Sequence, residues 1–151
     1  MKIRNAQNKD IDDLVRLLKG LTELEASFDF DEEAHRKGLT LLIQSQPASC
    51  VAVAVAVAEE NGNICGMCTG QTVISTAMGG PSVWVEDVVV HPDYQRRGVG
   101  SKLLDFLEEW GVSRGAARSQ LLIDNDNESA LKFYKQKKWQ ETNFSCLRKM
   151  S

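Results

Sequence analysis

The residues best suited to bind an anion follow an apolar strand. Val88-Val89-Val90 ends at His91-Pro92, and the basic, glycine-spaced run Gln95-Arg96-Arg97-Gly98-Val99-Gly100-Ser101 opens an amphipathic helix. Glycines let the backbone approach a ligand without a Cβ in the way. Because unpaired N–H groups at a helix N-terminus attract phosphates, the backbone from Arg96 to Ser101 is predicted to hold a phosphate or pyrophosphate.

Two familiar phosphate motifs do not describe this loop. No Gly-Lys-Ser/Thr follows, as a Walker P-loop requires, and Leu103 stands where a dinucleotide fingerprint has its third glycine. The alternative is an ordinary turn, in which the glycines serve geometry and the arginines face solvent.

Glu86 is an acid in an otherwise apolar strand and is the candidate general base, acting directly or through a water. Burial would raise the pKa of such a carboxyl toward a useful range, and its charge would attract a cation. The alternative is a structural ion pair or a polar residue at an open strand edge. In a regular strand Asp87 faces the other side, unless a bulge lies between the two acids.

A second acidic region, Glu23 to Glu33, holds six acids and no base. It could recruit a cationic substrate through Glu25, or it could be a solvated loop and helix start. His35 and His91 have no partner pattern, and His91 is expected to serve the turn before Pro92.

Composition favours one α/β domain spanning residues 1–151. The chain is 42% hydrophobic with a net charge of −3, which disfavours a basic nucleic-acid binder. No apolar leader follows Met1, and the run Cys50–Ala58 is too short to span a bilayer, so a soluble cytoplasmic protein is expected, with no membrane partner. Cys65 and Cys68 should point to opposite faces of a strand, which favours free thiols over a metal site.

Hydrophobic periodicity and turn signals predict the order β-α-α-β-β-β-α-β-α-β, with Asn8 capping the first helix. A parallel pair is required late in the chain, so the sheet is mixed with helices on both faces. The predicted elements are strands Lys2–Ala6, Ala48–Ala58, Ile64–Ser75, Val83–Val90, Ser119–Asp124 and one between Gln140 and Lys149, and helices from Asn8 to Leu21, Asp31–Gln44, Gly98–Arg114 and Asn127–Lys137.

The chain resembles the GNAT superfamily of acyl-CoA-dependent N-acetyltransferases. The resemblance rests on the strand Glu86–Val90, the loop Gln95–Gly100, the segment Asn127-Glu128-Ser129-Ala130-Leu131-Lys132-Phe133-Tyr134 and the element order. It implies a mostly antiparallel sheet with a splayed parallel pair, and acetyl-CoA as co-substrate with no metal. It also implies pyrophosphate binding by the loop and pantetheine binding by residues on two further segments, namely Val88, Val89, Val90, Asn127, Ala130 and Tyr134.

The resemblance also suggests how the chemistry is divided. Backbone N–H groups near Val88 or Val89 would stabilise the developing oxyanion, and Tyr134 would protonate the departing thiolate. A phenol can do this because its pKa lies above that of a typical thiol. The alternative is that Phe133 and Tyr134 are both core aromatics, which is the favoured interpretation for Phe133.

A closer resemblance is to the diamine (spermidine/spermine-type) acetyltransferase branch. Val85–Val90 is similar to the acidic strand of that branch, and Leu21-Thr22-Glu23-Leu24-Glu25 to its acceptor-side segment, where Leu24 replaces the usual tyrosine. The implied acceptor is a diamine, polyamine or basic amino acid contacting Glu25 and Glu86, and a homodimer is expected by analogy. A protein or peptide N-acetyltransferase and a catalytically silent acyl-CoA-binding module remain alternatives.

Overall fold

A computed structural model describes residues 1–24, 29–55 and 62–151 of the chain. Short 3-10 turns lie at Asn8–Asp10 and Pro92–Tyr94. The strands are β1 (Lys2–Asn5), β2 (Ser49–Val55), β3 (Ile64–Ser75), β4 (Gly80–Val90) and β5 (Ser119–Leu121), and the helices are α1 (Ile11–Leu24), α2 (Glu32–Gln44), α3 (Val99–Val112) and α4 (Glu128–Gln136).

The five strands form one mixed sheet in the order β1-β2-β3-β4-β5. The first four run antiparallel to their neighbours, and β5 runs parallel to β4. The predicted fold class is therefore confirmed. Because β5 has three residues and β4 has eleven, β5 covers only part of that edge of β4.

Each face of the sheet packs against helices. Alternating side chains of β2 and β3, such as Val51, Val53 and Met67, form one buried cluster with leucines of α1 and α2. On the opposite face the buried α3 residues Leu103 and Leu107 pack against β3. This two-sided burial explains why the strands read as nearly continuous apolar runs.

Glycines set how closely α3 approaches the sheet. A Cβ built on Gly70 would lie 2.7 Å from Leu107 Cδ1, and one built on Gly111 would lie 2.6 Å from Val83 Cγ2. Both distances are shorter than a normal carbon–carbon contact. The absence of these two side chains lets α3 lie close against β3 and β4.

Polar side chains cap two of the helices. Asp31 accepts a 3.0 Å hydrogen bond from the Ala34 N–H at the start of α2, and Asn127 accepts one of 3.0 Å from the Ala130 N–H in α4. The predicted Asn8 cap is wrong. Asn8 is already inside the 3-10 turn, whose N-cap residue is Gln7.

A buried ion pair holds β1 against that 3-10 turn. Asp10 is only 4% exposed and accepts hydrogen bonds of 2.6 and 2.9 Å from the Arg4 guanidinium and of 2.7 Å from the Gln7 N–H. Burial opposes ionisation of the Asp10 carboxyl, but the bonds from Arg4 and Gln7 and the charge of Arg4 outweigh it and lower its pKa.

Three of the four cysteines are buried within the sheet and form no disulfide: Cys50, Cys65 and Cys68. Burial raises the pKa of Cys50 to about 11 and that of Cys68 further, so both stay as unreactive thiols at neutral pH. Within the described ranges, no cluster of three or more metal-ligating side chains occurs.

The chain divides by its internal contacts into two units, residues 1–120 and 121–151. The strand predicted between Gln140 and Lys149 is absent, so this prediction is wrong. Residues 140–151 are exposed throughout and have no assigned helix or strand. Phe144 and Cys146 alternate with polar residues as in a strand, but a strand also needs a neighbouring backbone to bond with. None pairs with this segment in the described part of the chain.

None of the helices described is long and apolar enough to cross a membrane. The prediction of one domain over residues 1–151 concerns both units and stays a prediction.

Candidate active site

The segment from Gln95 to Ser101, here called the phosphate loop, connects β4 to α3 through two left-handed residues. Arg96 has φ +59° and Gly98 has φ +75°. The first bond of α3 runs from the Lys102 N–H to the Gly98 carbonyl, at 3.1 Å. The N–H groups of Val99 to Ser101 therefore belong to the first turn, where a helix offers no acceptor of its own.

The surroundings of the phosphate loop hold it in place. The Gln95 amide donates a 3.1 Å hydrogen bond to the Val90 carbonyl, and the Arg97 guanidinium lies 5.5 Å from the centre of the Tyr94 ring. His91 Nδ1 accepts from the Asp93 N–H at 3.3 Å, which confirms its predicted role in the turn. Val99 is buried, so this residue can offer a ligand only its backbone.

The phosphate loop suits a pyrophosphate. A Cβ on Gly98 would meet nothing within 4 Å, so the space beside this backbone is open to a ligand. Arg96 and Arg97 are exposed, and the segment 95–101 contains no acid. Positive charge, first-turn N–H groups and space thus coincide. The alternative interpretation, an ordinary turn, also requires arginines that face solvent. The exposure of Arg96 and Arg97 therefore fits both interpretations.

A β-bulge breaks the alternation of β4 at its acids. Thr69 on β3 lies opposite Glu86, whereas Met67 lies opposite Val89, so three steps on β4 match two on β3. Asp87 has φ +51°, the left-handed conformation that accommodates the extra residue. The structure thus shows the exception named for a bulged strand, and the opposite orientation expected of Asp87 in a regular strand does not apply.

As a result, Glu86 and Asp87 line one cavity, here called the acidic pocket. Its volume is about 480 Å³. Apolar side chains of α1 and α2 form much of the wall, and polar groups come from α2, β3 and β4. The lining residues are Leu18, Ala34, His35, Gly38, Leu39, Leu41, Leu42, Gln71, Glu86 and Asp87.

Neighbouring side chains orient both carboxylates. The Trp84 indole N–H donates to Glu86 Oε1 at 3.1 Å, and the buried Thr69 hydroxyl donates to Asp87 Oδ2 at 3.2 Å. Glu86 is exposed and Asp87 is half-buried. The burial that would raise the pKa of the Glu86 carboxyl is therefore not found, because Glu86 lies at an exposed position on the rim of the pocket.

Sequence reasoning missed three residues around these acids: Thr69, Trp84 and His35. Thr69 and Gln71 lie two residues apart on β3, and Trp84 and Glu86 lie two residues apart on β4, so each pair shares one face of its strand. This spacing is visible in the sequence, but only the register shows that the polar positions share a face. His35 reaches the same pocket from a helix that is distant in sequence.

The C-terminal unit carries the remaining predicted site residues. Asn127 uses its side-chain oxygen to cap α4. The ring of Tyr134 is half-buried, 5.2 Å from Phe133 and 5.6 Å from Trp139 between ring centres. Asn127 thus has a structural role, Tyr134 has aromatic neighbours, and Ala130 is half-buried. Their predicted contacts with a cofactor stay predictions.

The acidic segment between α1 and α2 serves partly as a helix start. Asp31 caps α2, and Arg36 forms ion pairs with Glu32 at 3.2 Å and Asp12 at 2.6 Å. These contacts match the alternative, structural interpretation for Asp31 and Glu32. Glu25 lies outside the described residues.

A comparison with family models identifies the family of this chain. The family model of the acetyltransferase (GNAT) family matches residues 17–138. The chain belongs to this family and is an acetyltransferase enzyme.

The curated relatives include enzymes named for an amine acceptor. Thialysine N-epsilon-acetyltransferase of Mus musculus is 26% identical over 140 residues, covering 89% of this chain and 81% of the relative. The Bos taurus protein of the same name is 29% identical, with 88% and 80% covered.

Solved structures share the fold. A possible acetyltransferase from Clostridium difficile 630 superposes with a TM-score of 0.85 at 16% identity, covering 99% of this chain and 97% of that one. AAC(6')-Iy in complex with the bisubstrate analog CoA-S-monomethyl-acetylneamine gives a TM-score of 0.81 at 18% identity, with the same coverage.

Proposed function

We propose that this enzyme transfers an acetyl group from acetyl-CoA to a primary amine of a small cationic acceptor, by direct attack in a ternary complex. The acceptor is a diamine, a polyamine or a basic amino acid. The observation that carries the proposal is the bulge at Asp87, because it places two carboxylates on one pocket with an apolar wall. Such a pocket suits a cation on an aliphatic chain.

The phosphate loop is the proposed site of the pyrophosphate, held by backbone N–H groups from Arg96 to Ser101 and by the two arginines. Bound acetyl-CoA supplies an acetyl group activated as a thioester. Val88, Val89 and Val90 would border its arm, together with three residues of the C-terminal unit: Asn127, Ala130 and Tyr134.

Three steps are assigned to this chain's residues. Glu86, directly or through a water, accepts the proton that an ammonium must lose before it can attack. Backbone N–H groups near Val88 or Val89 stabilise the charge that develops on the carbonyl oxygen. Tyr134 donates a proton to the leaving sulfur. Holding both substrates together contributes much of the acceleration, about 7–11 kcal/mol in well-oriented reactions.

The comparisons support this proposal at the level of chemistry. The thialysine enzymes are named for transfer to an N-epsilon nitrogen, and the bisubstrate analog bound by AAC(6')-Iy joins CoA to an acetylated amine compound. The family match from 17 to 138 crosses the boundary between the two units, which favours a single domain. A homodimer in the cytoplasm completes the proposal by analogy with the family.

An acceptor panel tests the proposal. Diamines, polyamines, lysine and lysine-containing peptides would each be incubated with acetyl-CoA and enzyme, and thiol release would be measured. We expect turnover to be highest with small amines. Preference for the peptides would favour the protein N-acetyltransferase alternative. CoA binding without turnover on any acceptor would favour the silent binding module.

A further inference from the structure

We propose that His35 determines acceptor specificity by accepting a hydrogen bond from the end of the acceptor that is not acetylated. The inference rests on the proposed function, since it takes the acidic pocket as the acceptor site. It assigns to the acceptor a second hydrogen-bond donor, separated by an aliphatic spacer from the amine that reacts.

A backbone contact fixes the tautomer of His35. Its Nδ1 lies 2.5 Å from the Asp31 carbonyl oxygen. A carbonyl oxygen only accepts, so Nδ1 must carry the hydrogen, and in the neutral ring Nε2 then has a lone pair. Among the described residues, Nε2 has no hydrogen-bond partner.

The ring is also held in position. Phe30 stacks on His35 with ring centres 5.0 Å apart and an angle of 25° between the planes. Phe30 in turn packs against the buried cluster of α1 and α2. Because one edge of the imidazole is bonded to Asp31 and one face is covered by Phe30, little rotational freedom is lost when Nε2 binds a ligand.

The pocket then has two kinds of polar end. Glu86 and Asp87 come from β4 and carry negative charge, whereas His35 comes from α2 and offers a neutral acceptor. Leu18, Leu39 and Leu42 contribute apolar surface to the same wall. A ligand with two donors and a carbon chain satisfies all of these groups, while a simple alkylamine leaves His35 unpaired.

Two variants separate this role from a structural one. In His35→Gln, the side-chain amide can occupy the place of Nε2 but not that of Nδ1. In His35→Asn, the amide replaces Nδ1 and can keep the Asp31 bond, but nothing reaches the place of Nε2. The affinity for a diamine would be measured by calorimetry in the presence of CoA. KM and kcat would be measured for that diamine and for a monoamine of equal chain length.

We expect His35→Asn to weaken diamine binding and raise its KM roughly tenfold, as the loss of one hydrogen bond to a charged donor implies, with little change in kcat. His35→Gln should stay within about threefold of the parent. Neither variant should alter the KM of the monoamine. Thermal unfolding of both variants would confirm that they remain folded.

The opposite ranking would overturn the inference. If His35→Asn binds the diamine normally and His35→Gln does not, the Asp31 bond matters and Nε2 does not. Equal loss for diamine and monoamine would also contradict it. If the parent enzyme acetylates no amine, the proposed function fails, whereas the calorimetric affinities still decide the role of His35.

Discussion

The phosphate loop and the acidic pocket are built in different ways. The phosphate loop is one continuous segment, and the groups proposed to face the ligand are the backbone N–H groups of the first helical turn and two adjacent arginines. The acidic pocket takes its lining from α1, α2, β3 and β4, and depends on a bulge between two strands. A continuous backbone site suits the proposed pyrophosphate, which stays the same whatever the acceptor. A site assembled from four elements can change its acceptor by changing one side chain.

The largest expected effect concerns the acidic pocket alone. Glu86→Gln removes the proposed base and should lower kcat by about 10²–10⁴-fold, since general base catalysis contributes about that much. CoA affinity should not change, because Glu86 is not in the phosphate loop. Steady-state kinetics and calorimetry with CoA measure the two quantities.

Glu109→Gln is the matched control for that variant, since it removes the same charge from an exposed position on α3. It should leave kcat unchanged. If Glu86→Gln retains parental turnover, Glu86 is not the base, although the fold assignment stands.

Tyr134→Phe removes the proposed acid and should lower kcat within the same range, which steady-state kinetics measures. A full rate in that variant would rule out Tyr134 as the acid.

The next effect concerns the phosphate loop alone. Gly98→Asp adds a Cβ and a negative charge at φ +75°, facing the proposed pyrophosphate, and should weaken CoA binding about ten- to a hundredfold. Gly79→Asp is the control, because Gly79 has φ +65° and equally open surroundings in the β3–β4 hairpin. Comparable stability with unequal CoA affinity is the expected outcome. Equal affinity would contradict the assignment of the loop.

A smaller effect would sharpen the role of the bulge. Thr69→Val keeps the shape of a buried side chain but removes the hydroxyl that donates to Asp87 at 3.2 Å. The KM of the cationic acceptor should rise about five- to tenfold, as the loss of one charge-assisted hydrogen bond suggests. CoA affinity should stay constant. A normal acceptor KM in this variant would mean that Asp87 needs no orientation from Thr69.

The smallest effect on turnover is expected from the scaffold. Asp10→Asn removes the negative charge and one of the two oxygens that accept hydrogen bonds from Arg4. It should lower the free energy of unfolding by about 1.5–3 kcal/mol near neutral pH. The folded-state pKa of Asp10 is lowered, so its stabilisation is present above the usual aspartate pKa of about 3.9 and is lost as the pH falls below it.

Denaturant unfolding at several pH values checks this expectation. The parent and Asp10→Asn curves should converge in acid, whereas Asp13→Asn, which breaks only a surface ion pair with Arg16, should lower the free energy of unfolding by less than about 1 kcal/mol. A difference between the parent and Asp10→Asn that persists unchanged at low pH would show that the Asp10 charge is not the source. The affinity for CoA and the KM of the acceptor should stay at parental values at every pH where the protein is folded.

The sequence by itself determined the features that depend on neighbouring residues. Helix α2 begins after Asp31, α4 begins after Asn127, and α3 begins after Gly98, each within a residue of its predicted start. The phosphate loop follows from the same local rules, since a glycine at positive φ and a first helical turn need no distant partner. Strand β3 was predicted with its observed ends for the same reason.

Only the tertiary structure decided what depends on pairing between distant segments. The bulge that brings Asp87 beside Glu86 is a property of the β3–β4 register, and strand alternation alone predicts the opposite. His35 shares the acidic pocket because α2 packs over the sheet, about fifty residues before those acids. The predicted strand after Gln140 failed because its apolar alternation has no backbone to pair with in the described chain. Local hydrogen bonds can be read from spacing, whereas contacts between strands and helices exist only once the chain has packed.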